Sequence, residues 1–213
     1  TSWKNPFEIY SNNLNSTLIA LKIAKQSKAA FLFMSSFLYG EPKYYPIDEK
    51  HPVHSINPYM SSKIIGEELS TQICSINKTP LIILRGSNIY GEKLVPGRLI
   101  SDLLIANKKE EPFIINDPKP RRDYLYVNDF TSLILKIIET SPPKEGLFNV
   151  GFGKDYSNIE VAELFHKITR HNREIHIGSK KRDYDILNAS MDVNLVKRTF
   201  SWAPEYSLKA GLK

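Results

Sequence analysis

Two residues in the stretch NPYMSSKIIGEE, residues 57–68, have types and spacing that can move a proton. Tyr59 and Lys63 stand four positions apart, on one face of a helix and about one turn from each other. An ammonium beside a phenol stabilises the phenolate and draws its pKa down from about 10 toward working pH. Such a tyrosine can take a proton from a substrate hydroxyl or return it. A donor such as Ser or Thr must also hold the substrate oxygen.

The same spacing recurs once among the 11 tyrosines, at Tyr39–Lys43. Gly40 and Pro42 lie inside that second pair and argue against a helical turn between its members. Tyr59–Lys63 passes the test. Pro58 suits a first helical turn, Asn57 is a candidate N-cap, and the run beyond is amphipathic.

The elements that must position this pair follow from the apolar pattern. Residues 7–26 place Leu14, Leu18, Leu21 and Ile23 at helical spacing, and AAFLFMSS (29–36) reads as a short buried strand. A loop rich in Pro and Tyr leads to a helix from Pro58 to about Asn77, with Ile64, Ile65, Leu69, Ile73 and Ile76 as apolar positions. TPLIILRGSNIYG reads as a second buried strand ended by glycine. Continuously apolar strands alternating with helices indicate a parallel sheet covered on both faces. Beyond Gly91 the pattern predicts helices at 98–109, 129–140, 158–170 and near 192–200. Strands are expected at 112–116, 124–127, 147–151 and near 174–177.

Composition sets outer limits. At 213 residues, 41% hydrophobic and 24% charged, the chain has the makeup of a soluble globular protein of one or two domains. No apolar run approaches the roughly 20 residues of a membrane span, and no basic-then-apolar leader opens the sequence. Cys74, the single cysteine, sits on an apolar helix face and reads as core; one thiol fits a reducing cytoplasm and leaves no internal disulfide. No cluster of Cys, His and carboxylates suggests a metal. The five histidines lack a partner pattern and read as surface or loop residues. The net charge of +6 is spread out, and its densest runs, KPRR (119–122) and KKR (180–182), suit one or two phosphates better than nucleic acid.

Four segments then occur in order: SSFLYG (35–40), NPYMSSK (57–63), LRGSNIYG (84–91) and RDYLYVND (122–129). Together they resemble the extended short-chain dehydrogenase/reductase family, in its NAD-dependent nucleotide-sugar epimerase and dehydratase branch. The resemblance continues through NVGFG (149–153) and an R-x-x-D with a later Asp, here Arg182, Asp185 and Asp192. It ends on a W-x-P-x-x-x-L-x-x-G-L pattern at Trp202, Pro204, Leu208, Gly211 and Leu212.

The resemblance implies an α/β fold: a partial Rossmann-like doubly wound parallel sheet, its first strands absent, with a smaller α+β substrate-binding domain. Residues 1–91 and 124–152 would form the NAD-binding part, and 92–123 with 153–213 the nucleotide-sugar part. It implies Ser35, Tyr59 and Lys63 as the catalytic set. Asn13, Ser35, Tyr59, Lys63 and Ser87 would meet the cofactor, NAD with NADP not excluded. Ser35, Ser36, Asn88, Arg122 and Arg182 would meet a nucleotide-diphosphate sugar, the arginines as fork-shaped phosphate donors. It further implies a homodimer through the helices around 7–26 and 58–77.

Two departures bear on these expectations. The family's glycine-rich G-x-x-G-x-x-G turn, where a pyrophosphate meets a helix N-terminus, does not occur in the sequence. The expectation is therefore that roughly the first third of the enzyme precedes Thr1, and that these residues alone bind dinucleotide poorly. Second, hexose dehydratases place an acid just after the catalytic Thr, whereas Ser35 is followed here by Ser36 and Phe37. A 4-epimerase with retained NAD is the expected activity. A keto-sugar reductase with the same residues, and a truncated inactive member acting as a binding partner, stay open.

Overall fold

The computed structural model describes residues 2–92, 95–170, 174–179 and 186–213. The first helix, α1 (Pro6–Ser27), leads into a short strand, β1 (Phe31–Met34). A long loop then reaches α2 (Pro58–Asn77), which the Asn57 side chain caps by accepting the Met60 N–H, with Pro58 in the first turn. After it come β2 (Leu81–Gly86) and β3 (Asn88–Tyr90), then α3 (Leu99–Lys108), β4 (Phe113–Ile115) and β5 (Arg121–Tyr126). The remainder comprises α4 (Val127–Glu139), β6 (Gly146–Val150), β7 (Asp155–Ser157), α5 (Asn158–Thr169), β8 (Ile175–Ile177), β9 (Asn188–Ala189), α6 (Asn194–Phe200) and α7 (Leu208–Gly211).

Strands β1, β2 and β6 form a parallel sheet in that order, with Met34 opposite Leu84 and Arg85 opposite Asn149. Its faces are covered as continuously apolar strands require. On one face Phe31, Phe33 and Ile83 pack with Leu21 and Ala24 of α1 and Cys74 of α2. On the other, Ile82, Leu84, Phe148 and Val150 pack with Leu133 and Ile137 of α4 and with Val196, Phe200 and Trp202. This is the doubly wound arrangement expected from the sequence.

A second sheet joins β3 to β5 in parallel and β5 to β7 in antiparallel, with β9 also on β5, while β4 pairs with β8. These elements enclose a separate core that includes Tyr90, Ile100, Leu103, Phe113, Tyr124 and Phe165. The terminal motif docks back onto α4: Asp129 accepts the backbone N–H groups of Glu205 and Tyr206, and the Trp202 indole donates to Ser132.

Several expectations need correction. Leu18 and Ile23 are exposed, because the buried stripe of α1 runs through Thr17, Leu21 and Ala24, and Ile76 is exposed because the buried positions of α2 include Gly66, Ser70 and Cys74. Val127 opens α4 instead of closing a strand, and β5 begins earlier, at Arg121. His51 is a loop residue, as expected, but not a surface one. It is buried between Tyr39 and Tyr44, its Nε2 accepts the Lys43 N–H, and its Nδ1 lies 2.8 Å from the Pro52 carbonyl oxygen.

Candidate active site

Helix α2 aims its first turns at the carboxyl ends of the parallel strands, where open α/β sheets bind ligands. It can lie this close to β1 because Gly66 faces the Phe33 ring, where an added Cβ would come within 2.6 Å of ring carbon Cζ. Tyr59, in the first turn, is 38% exposed. It lines a groove of about 1140 Å³ together with Asn88, Tyr90, Arg98, Arg122 and Tyr124. The groove thus brings together three residues assigned from the sequence: Tyr59, Asn88 and Arg122.

Lys63 sits one turn deeper and is half-buried. Its Nζ donates to the Met34 carbonyl at 2.8 Å and lies 5.1 Å from the centre of the Phe33 ring. Burial lowers its pKa below the ordinary lysine value. The carbonyl it holds belongs to the peptide that leads into Ser35, so the lysine and the serine meet at the end of β1.

Ser35 itself is buried, and its Oγ donates to Glu67 Oε1 at 2.6 Å. Glu67 in turn receives Arg85, through Nε on Oε1 at 2.9 Å and Nη2 on Oε2 at 2.6 Å. The Arg85 guanidinium carbon lies 5.0 Å from the centre of the Tyr39 ring. Burial pushes the Tyr39 hydroxyl up to about 12, against the lowering charge of Arg85, and that hydroxyl donates to Asn149 Oδ1. A buried polar chain thus runs across the ends of β1, β2 and β6 beneath the Tyr59–Lys63 pair.

The other assigned residues take different places. Asn13 donates to Ser62 Oγ at 2.7 Å, and Ser62 donates to the Tyr59 carbonyl, so Asn13 ties α1 to the turn that carries Tyr59. Ser36 is half-buried beside Ser35. Ser87 donates its N–H to the Val150 carbonyl, and its Oγ lies 3.5 Å from Asp123 Oδ1. Arg122 donates to the backbone oxygens of Arg121 and Ile186. Arg182 and Asp185 lie outside the described residues.

Sequence reasoning missed Glu67, Arg85 and Asp123 as site-supporting groups. Glu67 had a signal: it follows Lys63 by four positions, the same helical step that links Lys63 to Tyr59. Arg85 had one too, as a charge inside the apolar strand LIILRG, which burial obliges to find a partner. Asp123 accepts the N–H groups of Phe152 and Gly153 at 2.8 and 2.7 Å. Its burial pushes the carboxyl up to about 6 despite those bonds.

The match to known proteins is extensive. Residues 1–151 fit the model of the family described as the NAD dependent epimerase/dehydratase family. A Methanocaldococcus jannaschii protein, provisionally named UDP-glucose 4-epimerase, is 30% identical over all of this chain and 70% of its own length. An uncharacterized UDP-glucose epimerase of Bacillus subtilis is 26% identical, over all of this chain and 68% of its own length. The crystal structure of Thermotoga maritima UDP-glucose 4-epimerase with UDP-glucose superimposes with a TM-score of 0.91 at 25% identity, covering all of this chain and 70% of that one.

Proposed function

The chain belongs to the NAD dependent epimerase/dehydratase family, and we propose that its activity is 4-epimerisation of a UDP-sugar with retained NAD. The observation that carries this reading is the groove shared by Tyr59, Asn88 and Arg122, with Lys63 one turn behind Tyr59. At about 1140 Å³ it is somewhat larger than the about 300–1,000 Å³ usual for small-molecule sites, as an extended nucleotide sugar needs. The relatives named as UDP-glucose 4-epimerases match along this whole chain and support the substrate class.

The residues present fit the nicotinamide end of the cofactor. Lys63 offers a half-buried ammonium for the ribose, and Tyr59 an exposed phenol beside it. When bound, NAD supplies the hydride acceptor for sugar C4 and gives the hydride back.

Tyr59 takes the proton of the sugar 4-hydroxyl and later returns it. Lys63 stands one helical turn behind it as the cationic partner. Ser35 meets the same sugar oxygen from the end of β1. Asn88 and Arg122 hold the diphosphate, joined by Arg182, so the sugar can present its other face while the nucleotide stays anchored. Asn13 and Ser87 belong to the cofactor side and Ser36 to the sugar side. We divide the chain accordingly, 1–91 with 124–152 serving the cofactor and 92–123 with 153–213 the nucleotide sugar, and we assign a homodimer through α1 and α2.

The test is interconversion of UDP-glucose and its C4 epimer by the purified full-length protein with NAD. Equilibration of the two sugars without net formation of NADH is expected. Stoichiometric consumption of NADPH on a 4-keto sugar, with no epimerisation, would overturn the reading.

A further inference from the structure

Lys63 carries a charge into a half-buried site, and burial works against that charge. A buried ammonium is ordinarily paired with a carboxylate. Among the described residues none lies within ion-pair distance of its Nζ. The carboxylate one helical turn further on, Glu67, is already occupied: Arg85 holds both of its oxygens, and Ser35 donates to one of them. What meets the ammonium instead is the Met34 carbonyl at 2.8 Å and the ring of Phe33, whose centre lies 5.1 Å away. That is inside the about 6 Å over which the negative face of an aromatic ring attracts a cation. Phe33 is only 6% exposed, so water does little to weaken the attraction. The ring is also held in place. Its para carbon faces Gly66, where an added Cβ would come within 2.6 Å, and it packs in one core with Leu21, Ala24 and Cys74.

We propose that Phe33 is a positioning residue for Lys63, its ring standing where a counter-ion would and keeping the ammonium charged and seated at the end of β1. The proposal rests on the reading of Lys63 as the ammonium for the cofactor ribose and the cationic partner of Tyr59. An ammonium has three N–H groups, and one is spent on Met34. A carboxylate at the position of the ring would also stabilise the charge. It would, however, claim the remaining N–H groups and cancel the charge that the site is there to present. A ring attracts the cation as a whole and carries no net charge of its own, so Lys63 keeps its charge and two N–H groups for the ribose. Gly66 then has a chemical consequence besides close packing: it leaves the room in which the ring reaches the lysine.

The test replaces Phe33, in the full-length protein, by phenylalanines bearing one, two or four fluorines away from the para carbon. This series drains the ring face of negative charge at nearly constant size and adds nothing toward Gly66. Competitive acetylation of Lys63 across pH, read by mass spectrometry without cofactor or sugar, gives the pKa of the ammonium. It is expected to fall stepwise with fluorine content, by about half a pH unit to one pH unit over the series, the scale of a desolvated cation–π contact. The same series at Phe31, whose ring lies 6.4 Å from that of Phe33 in the same core, should leave it unmoved. In the active protein the alkaline limb of the turnover profile should move down with the Lys63 pKa. A pKa that stays put across the Phe33 series, or that follows the Phe31 series equally, overturns the proposal. A pKa that falls while the turnover profile stays put overturns the reading of Lys63 in the reaction, and with it the role of Phe33 there, but not the contact between ring and ammonium. Should the most fluorinated protein not fold, the members with one and two fluorines carry the same comparison.

Discussion

Arg85 grips Glu67 with two nitrogens in a buried, forked ion pair that joins strand β2 to helix α2. Such a pair gains little over apolar packing when intact, but it is costly to halve. Arg85→Met alone should destabilise the fold by about 3–5 kcal/mol, because it strands a buried carboxylate. Adding Glu67→Gln should recover part of that loss. Urea unfolding of the single and double variants checks this, and a double variant less stable than Arg85→Met would contradict it.

Tyr59 lines the groove, whereas its helix is held by α1 and β1. Tyr59→Phe should therefore lower turnover by about 10²-fold or more, as acid–base loss does, with little effect on UDP affinity. Steady-state kinetics and calorimetry read the two effects separately. Near-normal turnover would remove Tyr59 from the chemistry.

Arg122 lines the same groove from β5, where backbone carbonyls orient its guanidinium. Arg122→Ala should weaken UDP binding by about 10- to 100-fold, the range for a hydrogen bond to a charged group. Uridine, which lacks the phosphates, should lose much less. Comparable losses for both ligands would place Arg122 outside the diphosphate contact.

Asp123 titrates where its burial can be seen. Its carboxyl rises from the ordinary 3.8 to about 6. The folded state thus binds a proton there more tightly than the unfolded chain does. This contribution to stability is full below about 3.8 and is lost as pH rises through about 6. Asp123→Asn should abolish that part of the pH dependence. It should also cost about 1–3 kcal/mol, because the N–H groups of Phe152 and Gly153 lose one of two acceptor oxygens. Denaturation at several pH values between 4 and 7 measures both effects, and an unchanged slope would exclude Asp123 as its source.

What the sequence displayed was local. Helix α2 was legible to its ends, because Asn57 and Pro58 start it by side-chain and ring geometry that needs no distant partner. The three strands of the doubly wound sheet were legible because burial on both faces demands unbroken apolar runs. What escaped depends on residues far apart in the chain. The start of β5 is disguised by Arg121, Arg122 and Asp123, whose neutralising contacts come from Asp155, Glu160 and the turn at Phe152. Strands β7 and β9 are short and exist through their pairing with β5. His51 is buried by tyrosines that fold over it from the same loop, a cluster with no periodicity to betray it. In the site, the types and spacing of Tyr59 and Lys63 could be read directly. The partner of Ser35 could not, because Glu67 reaches it only once α2 lies against β1.

The groove is walled by two different hydrophobic cores. Tyr59 rides on a helix that shares its core with α1 and β1, whereas Tyr90 and Tyr124 belong to the core beneath α3 and α5. A ligand seated between them is then a brace as much as a cargo. At a hundredfold excess over its Kd it adds about 2.7 kcal/mol to whichever unfolding step separates the walls. Occupancy by the nucleotide sugar should thus register as heat resistance and slower proteolysis of the chain, before any sugar has been turned over.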